Sequence, residues 1–174
     1  RPEWPILHPS EHVLSPRLAR LHACLAWHGT GRYALGMDSP DDYPRLDEDN
    51  IRFCDTDALG HVNNVAITAY YETGRGGLMH MLGTLGGPDV LSVIARIEID
   101  FLGEMLWPGK VVIGTRVVSL GRSSVTIAQA LFQNGQCTSR SRSVIVTMDG
   151  HGRKSMPLTD EMRAAYSAFM TSAD

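Results

Sequence analysis

Read at 3.6 residues per turn, the segment from about Asn64 to Leu82 brings Ile67, Tyr70, Tyr71, Gly74, Leu78, Met81 and Leu82 onto one face. A helix of this length with one continuous apolar face has to bury that face. Gly74, Gly76 and Gly77 each cost such a helix up to about 1 kcal/mol relative to Ala, a cost that is reasonable where another layer approaches the helix backbone closely. The expectation is a long helix packed tightly on a sheet.

The residues after the helix have the period of strands. Val93, Ala95, Ile97, Ile99 and Phe101 alternate with Arg96, Glu98 and Asp100, which predicts a half-buried strand. Two further strands are expected near 110 to 120 and 124 to 133, separated by a turn at Gly121, and Asn134-Gly135 is a hairpin signal. A last strand runs through SRSRSVIVTM. A C-terminal helix is expected from Thr159, with Met162, Ala165, Tyr166 and Phe169 on its apolar face. Ahead of the long helix, IRFC reads as a short strand beginning at about Asn50. The fold class is α+β: one long central helix on a curved antiparallel sheet of about five strands.

Residues 1–48 differ in character, being rich in Pro, His and charge, and are read as an N-terminal extension, with residues 49–174 as the domain proper. The extension holds one expected helix, capped by Ser15 with Pro16 in its first turn and ending near Gly29, and SPDDYPRLDEDN reads as a connector. At 174 residues with 43% hydrophobic residues, the chain has material for one core and an appendage. A formal net charge of -3 gives no global reason to expect a nucleic-acid partner. Cys24, Cys54 and Cys137 are widely spaced and odd in number, so neither a disulfide framework nor a metal-binding pair is expected. No His pair has helical ligand spacing either, and no metal and no cofactor are predicted. No apolar run approaches the roughly 20 residues of a membrane span, and the opening RPEWPILHPSEH has no secretory leader pattern. Together with the cysteine usage, this predicts a cytoplasmic protein with no membrane partner.

The chemistry is expected in the loop before the helix. RFCDTDALGHVNNVAITAYYETGR combines an aspartate pair, a Gly-His-Val-Asn-Asn loop and a helix carrying YYETGR, and VIARIEIDFLGEMLWPGK follows as a strand and its exit loop. In these features, over roughly residues 48 to 150, the chain resembles hotdog-fold acyl-CoA thioesterases, the group that includes hydroxybenzoyl-CoA thioesterase. The resemblance implies a hotdog fold and hydrolysis of acyl-CoA thioesters to free acid and CoA. It also implies that the second aspartate of the pair, Asp57, is the catalytic one, as nucleophile or as general base toward water, with Asp55 structural.

Thioester hydrolysis requires a group that attacks the carbonyl or activates water, and donors for the oxyanion. If Asn63 caps the helix, the amides of Asn64 and Val65 point outward at its positive end, so the Asn64 backbone is a candidate catalytic donor beside Asp57. Taken alone, an aspartate shortly before a Gly also fits a turn residue that bonds its own backbone. His61 fits either a loop-ordering residue or one that orients substrate or water, and Gly60, Asn63 and Val65 are expected to line the substrate site. In the similar plant acyl-carrier-protein thioesterases an Asn and a His follow the aspartate at the positions of Leu59 and His61. Leu59 departs from that pattern, which favours the bacterial acyl-CoA type of site. Glu72 reads as a helix residue bonded to a neighbour such as Arg75.

For the CoA moiety, Arg122, Ser123 and Ser124 at a strand turn look like the family's turn near the nucleotide, and Arg140 and Arg142 share one face of the last strand. Arginine suits phosphate recognition. The resemblance further implies a homodimer or a homotetramer, with the site at the dimer interface. Two alternatives remain. A hotdog dehydratase or hydratase acts on the same thioesters, but the hydratase type has four residues between its Asp and His in an Asn-Pro-Leu-His context, whereas only three, Ala-Leu-Gly, lie between Asp57 and His61. A non-catalytic acyl-CoA-binding protein would need a DNA-binding module in residues 1–48, where one helix and five diluted basic residues make no helix-turn-helix.

Overall fold

The computed structural model describes residues 39–84, 86–87 and 89–171; the helix expected between Ser15 and Gly29 lies outside them. A six-stranded antiparallel sheet carries the long helix on one face, which is the hotdog arrangement expected. The elements are β1 (Arg45–Ile51), α1 (Asn64–Met81), β2 (Gly86–Gly87), β3 (Val90–Phe101), β4 (Gly109–Leu120), β5 (Ser124–Gln133), β6 (Gln136–Asp149) and α2 (Asp160–Ser167). Along the sheet they lie in the order β1-β4-β5-β6-β3-β2.

Close packing of α1 on β4 and β5 depends on Gly74. A Cβ there would lie 2.6 Å from Ile113 Cγ2 and 2.7 Å from Gln129 Nε2, so any side chain forces those residues or the helix itself to shift. Around this contact Tyr71, Leu78, Ile113, Ile127 and Leu131 are fully buried. Gly76 does not share this role, since a Cβ there meets nothing within 4 Å. Met81, expected on the buried face, is half exposed, because the last turn runs past the core and the Met81 sulfur instead accepts a 3.0 Å bond from Arg45 Nη1.

Three further expectations are corrected. The first strand starts at Arg45 rather than near Asn50, so half of the expected connector belongs to the sheet. Phe53–Asp55 is a 3-10 turn rather than strand. Charged residues at Arg45, Asp47, Glu48 and Asp49 hide the strand period, and they suit an edge strand that must resist pairing with another chain. The alternation of β3 is broken by a bulge between Ile94 and Arg96. Ile94 and Phe101 are half exposed and Ile97 and Ile99 only partly buried, because β3 lies beside β6 on one side and the two-residue β2 on the other, away from the strands on which α1 lies.

The turns follow the local chemistry. Asn134 and Gly135 both take positive φ, 52° and 77°, as a tight hairpin of this twist requires. Thr159 caps α2 by accepting a bond from Met162 N–H, and α2 buries Tyr166 with Met162 and Phe169 packed beside it. After α2 the chain joins the edge of β4: Val117 N–H donates to Phe169 O at 2.8 Å and Met170 forms a parallel bridge with Val117. That contact begins just where β1 stops, since β1 pairs with β4 only as far as Thr115.

Gly74→Ala is expected to lower stability by about 1–3 kcal/mol through overpacking, read as a reduced urea midpoint at unchanged slope. A neutral Gly74→Ala would mean that the helix has room to lift.

Candidate active site

The loop from Asp55 to Asn63 folds back on itself before entering α1. Thr56 and Val62 form an antiparallel bridge, Asp57 N–H donates to His61 O at 2.8 Å, and Gly60 N–H donates to Asp57 O at 3.1 Å. Gly60 closes this turn at φ 84°, a left-handed conformation that side-chain-bearing residues rarely adopt. Asp57 Oδ1 accepts from Leu59 N–H at 2.8 Å and from His61 N–H at 3.3 Å. The turn role read for Asp57 is thus realised with one carboxylate oxygen. Oδ2 has no protein donor among the described residues, and the side chain stands exposed at the tip.

Asn63 joins this turn to the helix. Its side-chain oxygen accepts from Ala66 N–H at 2.8 Å, and its own N–H donates to Asp55 O at 2.9 Å. The cap occupies one of the donors at the helix start and leaves the Asn64 and Val65 amides without an intrahelical acceptor; both residues are exposed. Asp55 is committed to the scaffold. Its Oδ2 accepts from Tyr70 Oη–H at 2.7 Å and from Arg52 N–H at 2.8 Å. Burial, then the bond to the Asp55 carboxylate, pushes the Tyr70 phenol well above its ordinary range, so Tyr70 stays a donor.

The loop between β3 and β4 forms the other wall. Val62 N–H donates to Met105 O at 2.8 Å, His61 and Leu106 form an antiparallel bridge, and His61 Nε2 lies 3.4 Å from Glu104 Oε2. Trp107 meets Phe53 edge to face with ring centroids 5.4 Å apart. Sequence reasoning missed Glu104, Gln133 and this aromatic pair. Glu104 lies in a loop far along the chain, and no local pattern connects it to the aspartate turn. A shallow depression lined by Leu102, Asn134, Gly135, Gln136, Cys137 and Arg140 opens at the same end of the sheet.

Other candidates lie apart. Arg122, Ser123 and Ser124 form the turn after β4, whereas the Asp57 loop lies at the Gly109 end. The twelve residues of β4 span on the order of 35–40 Å, so one chain does not bring the two groups together. That turn is secured by Arg163, whose Nη2 donates to Gly121 O at 2.8 Å and Arg122 O at 3.1 Å. Arg140 and Arg142 stand opposite Asp100 and Glu98 of β3, on the sheet face away from α1. Glu72 is exposed, and the expected bond to Arg75 is replaced: Arg75 is buried and donates to Gln129 Oε1 at 3.3 Å. Burial pulls the Arg75 pKa down, against the opposing charge of Glu72. Among the described residues no group of three or more His, Cys, Asp or Glu side chains is placed to hold a metal ion, and no helix is long and apolar enough to cross a membrane.

Comparison with known proteins gives a consistent result. The family described as the thioesterase-like superfamily matches residues 51–166. The chain is 27% identical over 115 residues to the uncharacterized protein YsmA of Bacillus subtilis (strain 168), covering 64% of this chain and 78% of that protein. The crystal structure of the PA5185 protein from Pseudomonas aeruginosa strain PAO1 is similar at a TM-score of 0.71 and 28% identity, covering 78% of this chain and 98% of that one. A thioesterase from Thermus thermophilus, complexed with coenzyme A and Zn, is similar at a TM-score of 0.67 and 31% identity, covering 74% and 96% respectively.

Tyr70→Phe removes a hydrogen bond to a carboxylate and is expected to cost about 1.5–3 kcal/mol, measured by urea unfolding. An unchanged midpoint would show that Asp55 does not tie the loop to α1.

Proposed function

Because the chain belongs to the thioesterase-like superfamily, whose general chemistry is thioester hydrolysis, we propose that it hydrolyses acyl-CoA thioesters to free acid and CoA at the turn carrying Asp57. The observation that carries this reading is the pairing of an exposed carboxylate oxygen, Asp57 Oδ2, with the start of α1. There the Asn63 cap bonds the Ala66 amide and leaves those of Asn64 and Val65, both exposed residues, without an intrahelical acceptor. A thioester carbonyl placed at the helix start would accept from the Asn64 amide, which favours the oxyanion as it develops. Asp57 acts either as nucleophile on that carbonyl or as general base toward water. Thiolate is a good leaving group and requires no strong acid. His61 orients water or substrate, while Gly60, Asn63 and Val65 border the acyl carbonyl.

The second part of the proposal is assembly. Ile94, Phe101, Leu102 and Leu106 are about half exposed along β3 and its exit loop, and a homodimer would cover such a surface; pairing of dimers gives the tetramer. In that assembly the CoA phosphates reach the partner's copy of the turn at Arg122, Ser123 and Ser124, too distant from Asp57 within one chain. The bound coenzyme A of the Thermus thermophilus relative supports CoA as the carrier. We place the enzyme in the cytoplasm.

The test is free-thiol release from a panel of acyl-CoAs. Asp57→Ala is expected to lose about a hundredfold or more in kcat, with a smaller loss in His61→Ala. Full turnover by Asp57→Ala would sink the mechanism. Conversion of 3-hydroxyacyl-CoA to the enoyl form without thiol release would identify a dehydratase instead. Light scattering after gel filtration should give a dimer or tetramer mass.

A further inference from the structure

We propose that Glu104 is a positioning residue of this site, acting through the His61 imidazole; the inference rests on the hydrolytic reading above. Glu104 and His61 belong to different loops, one leaving β3 and one entering α1, yet Glu104 Oε2 lies 3.4 Å from His61 Nε2.

The contact is built into the backbone of both loops. Val62 N–H donates to Met105 O at 2.8 Å, and His61 pairs with Leu106 as an isolated antiparallel bridge. Leu106 is in turn clamped by the Gln133 side chain, whose Oε1 accepts from Leu106 N–H at 2.9 Å while its Nε2 donates to Leu106 O at 2.7 Å. Met105, 1% exposed, anchors the loop in the core. With its two following residues held in this way, the Glu104 backbone is fixed beside the His61 loop.

Folding stability does not account for the arrangement. The two side chains are 34% and 47% exposed, and a pair so exposed contributes at most about 1 kcal/mol. What the contact can determine is which way the imidazole faces. With Nε2 turned toward Glu104, Nδ1 is the ring nitrogen left to meet a water or the thioester, and the partner at one nitrogen determines what the other does. The Asp57 turn holds the His61 backbone through the 2.8 Å bond from Asp57 N–H to His61 O. The β3–β4 loop holds the ring. Glu104 therefore sets the orientation of His61 beside Asp57 without touching substrate itself.

The decisive measurement is a double-mutant cycle on the full chain with Glu104→Ala, His61→Ala and the double variant, with Glu104→Gln alongside. Kinetics of thiol release from acyl-CoA are read together with the imidazole nitrogen NMR signals of His61, identified by their loss in His61→Ala. Glu104→Ala is expected to lower kcat about tenfold with KM changed less than about twofold, and to have no further effect once His61 is Ala. Glu104→Gln, which keeps the shape of the side chain, should shift the His61 ring signals while melting like the wild type. Multiplying losses in the double variant, an unchanged kcat in Glu104→Ala, or unmoved ring signals would overturn the proposal. An active wild type with any of these results overturns this inference alone, whereas a wild type that releases thiol from no acyl-CoA overturns the hydrolytic reading and this inference with it.

Discussion

The absence of a side chain at Gly74 sets the distance between the two layers of the fold. With a Cβ position 2.6 Å from Ile113 Cγ2, the helix backbone packs directly on the side chains of β4 and β5. Tyr71 can then reach across to donate its hydroxyl to Ser139 Oγ at 2.7 Å, and Gln129 can donate to Tyr71 O at 3.1 Å. These bonds fix the height and the angle of α1. Its first residues are the donors at the candidate site, so the geometry at Asn64 is inherited from a contact ten residues further along the helix.

The site itself is assembled from two loops that share few local signals. One ends at the Asn63 cap and carries Asp57 on its tip, and the other leaves β3 and is tied down by Met105 and Gln133. Neither loop is rigid through secondary structure of its own. They are bonded to each other through Val62 and Met105; the first is tied to α1 by Asp55 and Tyr70, and the second to β5 by Gln133 and to β6 by Thr138. The exposed Asp57 carboxylate thus stands on a buried support, an arrangement that would let a reactive group keep its geometry while remaining open to solvent.

Much of this was legible in the chain. The helical period around Tyr71, the Asn63 cap, the Asn134-Gly135 hairpin and the Thr159 start of α2 are all local, and local chemistry decides them. The aspartate turn was also legible, because Asp57 and Gly60 use standard turn bonds. What escaped was non-local or masked. Charges along β1 concealed a strand, since a charged edge strand does not show the apolar alternation by which strands are found. The partial exposure of β3 depends on which strands the helix lies over, a property of sheet order rather than of β3. Glu104 is paired with His61 only by the fold. The bond expected between Glu72 and Arg75 follows helix spacing, but Gln129, brought underneath by the sheet, takes the guanidinium instead.

The join between the C-terminal segment and β4 bears on how the protein behaves in a crowded solution. A sheet edge with unpaired amides and carbonyls is a template for another chain. Here β1 covers β4 as far as Thr115, and the backbone at Phe169 and Met170 takes over at Val117. Two unrelated parts of the chain, one before the helix and one near the end, therefore share protection of a single edge. A chain ending before Phe169 would lose a side chain packed beside Tyr166 and would also uncover part of that edge, trading a well-behaved particle for one with a site for intermolecular strand addition.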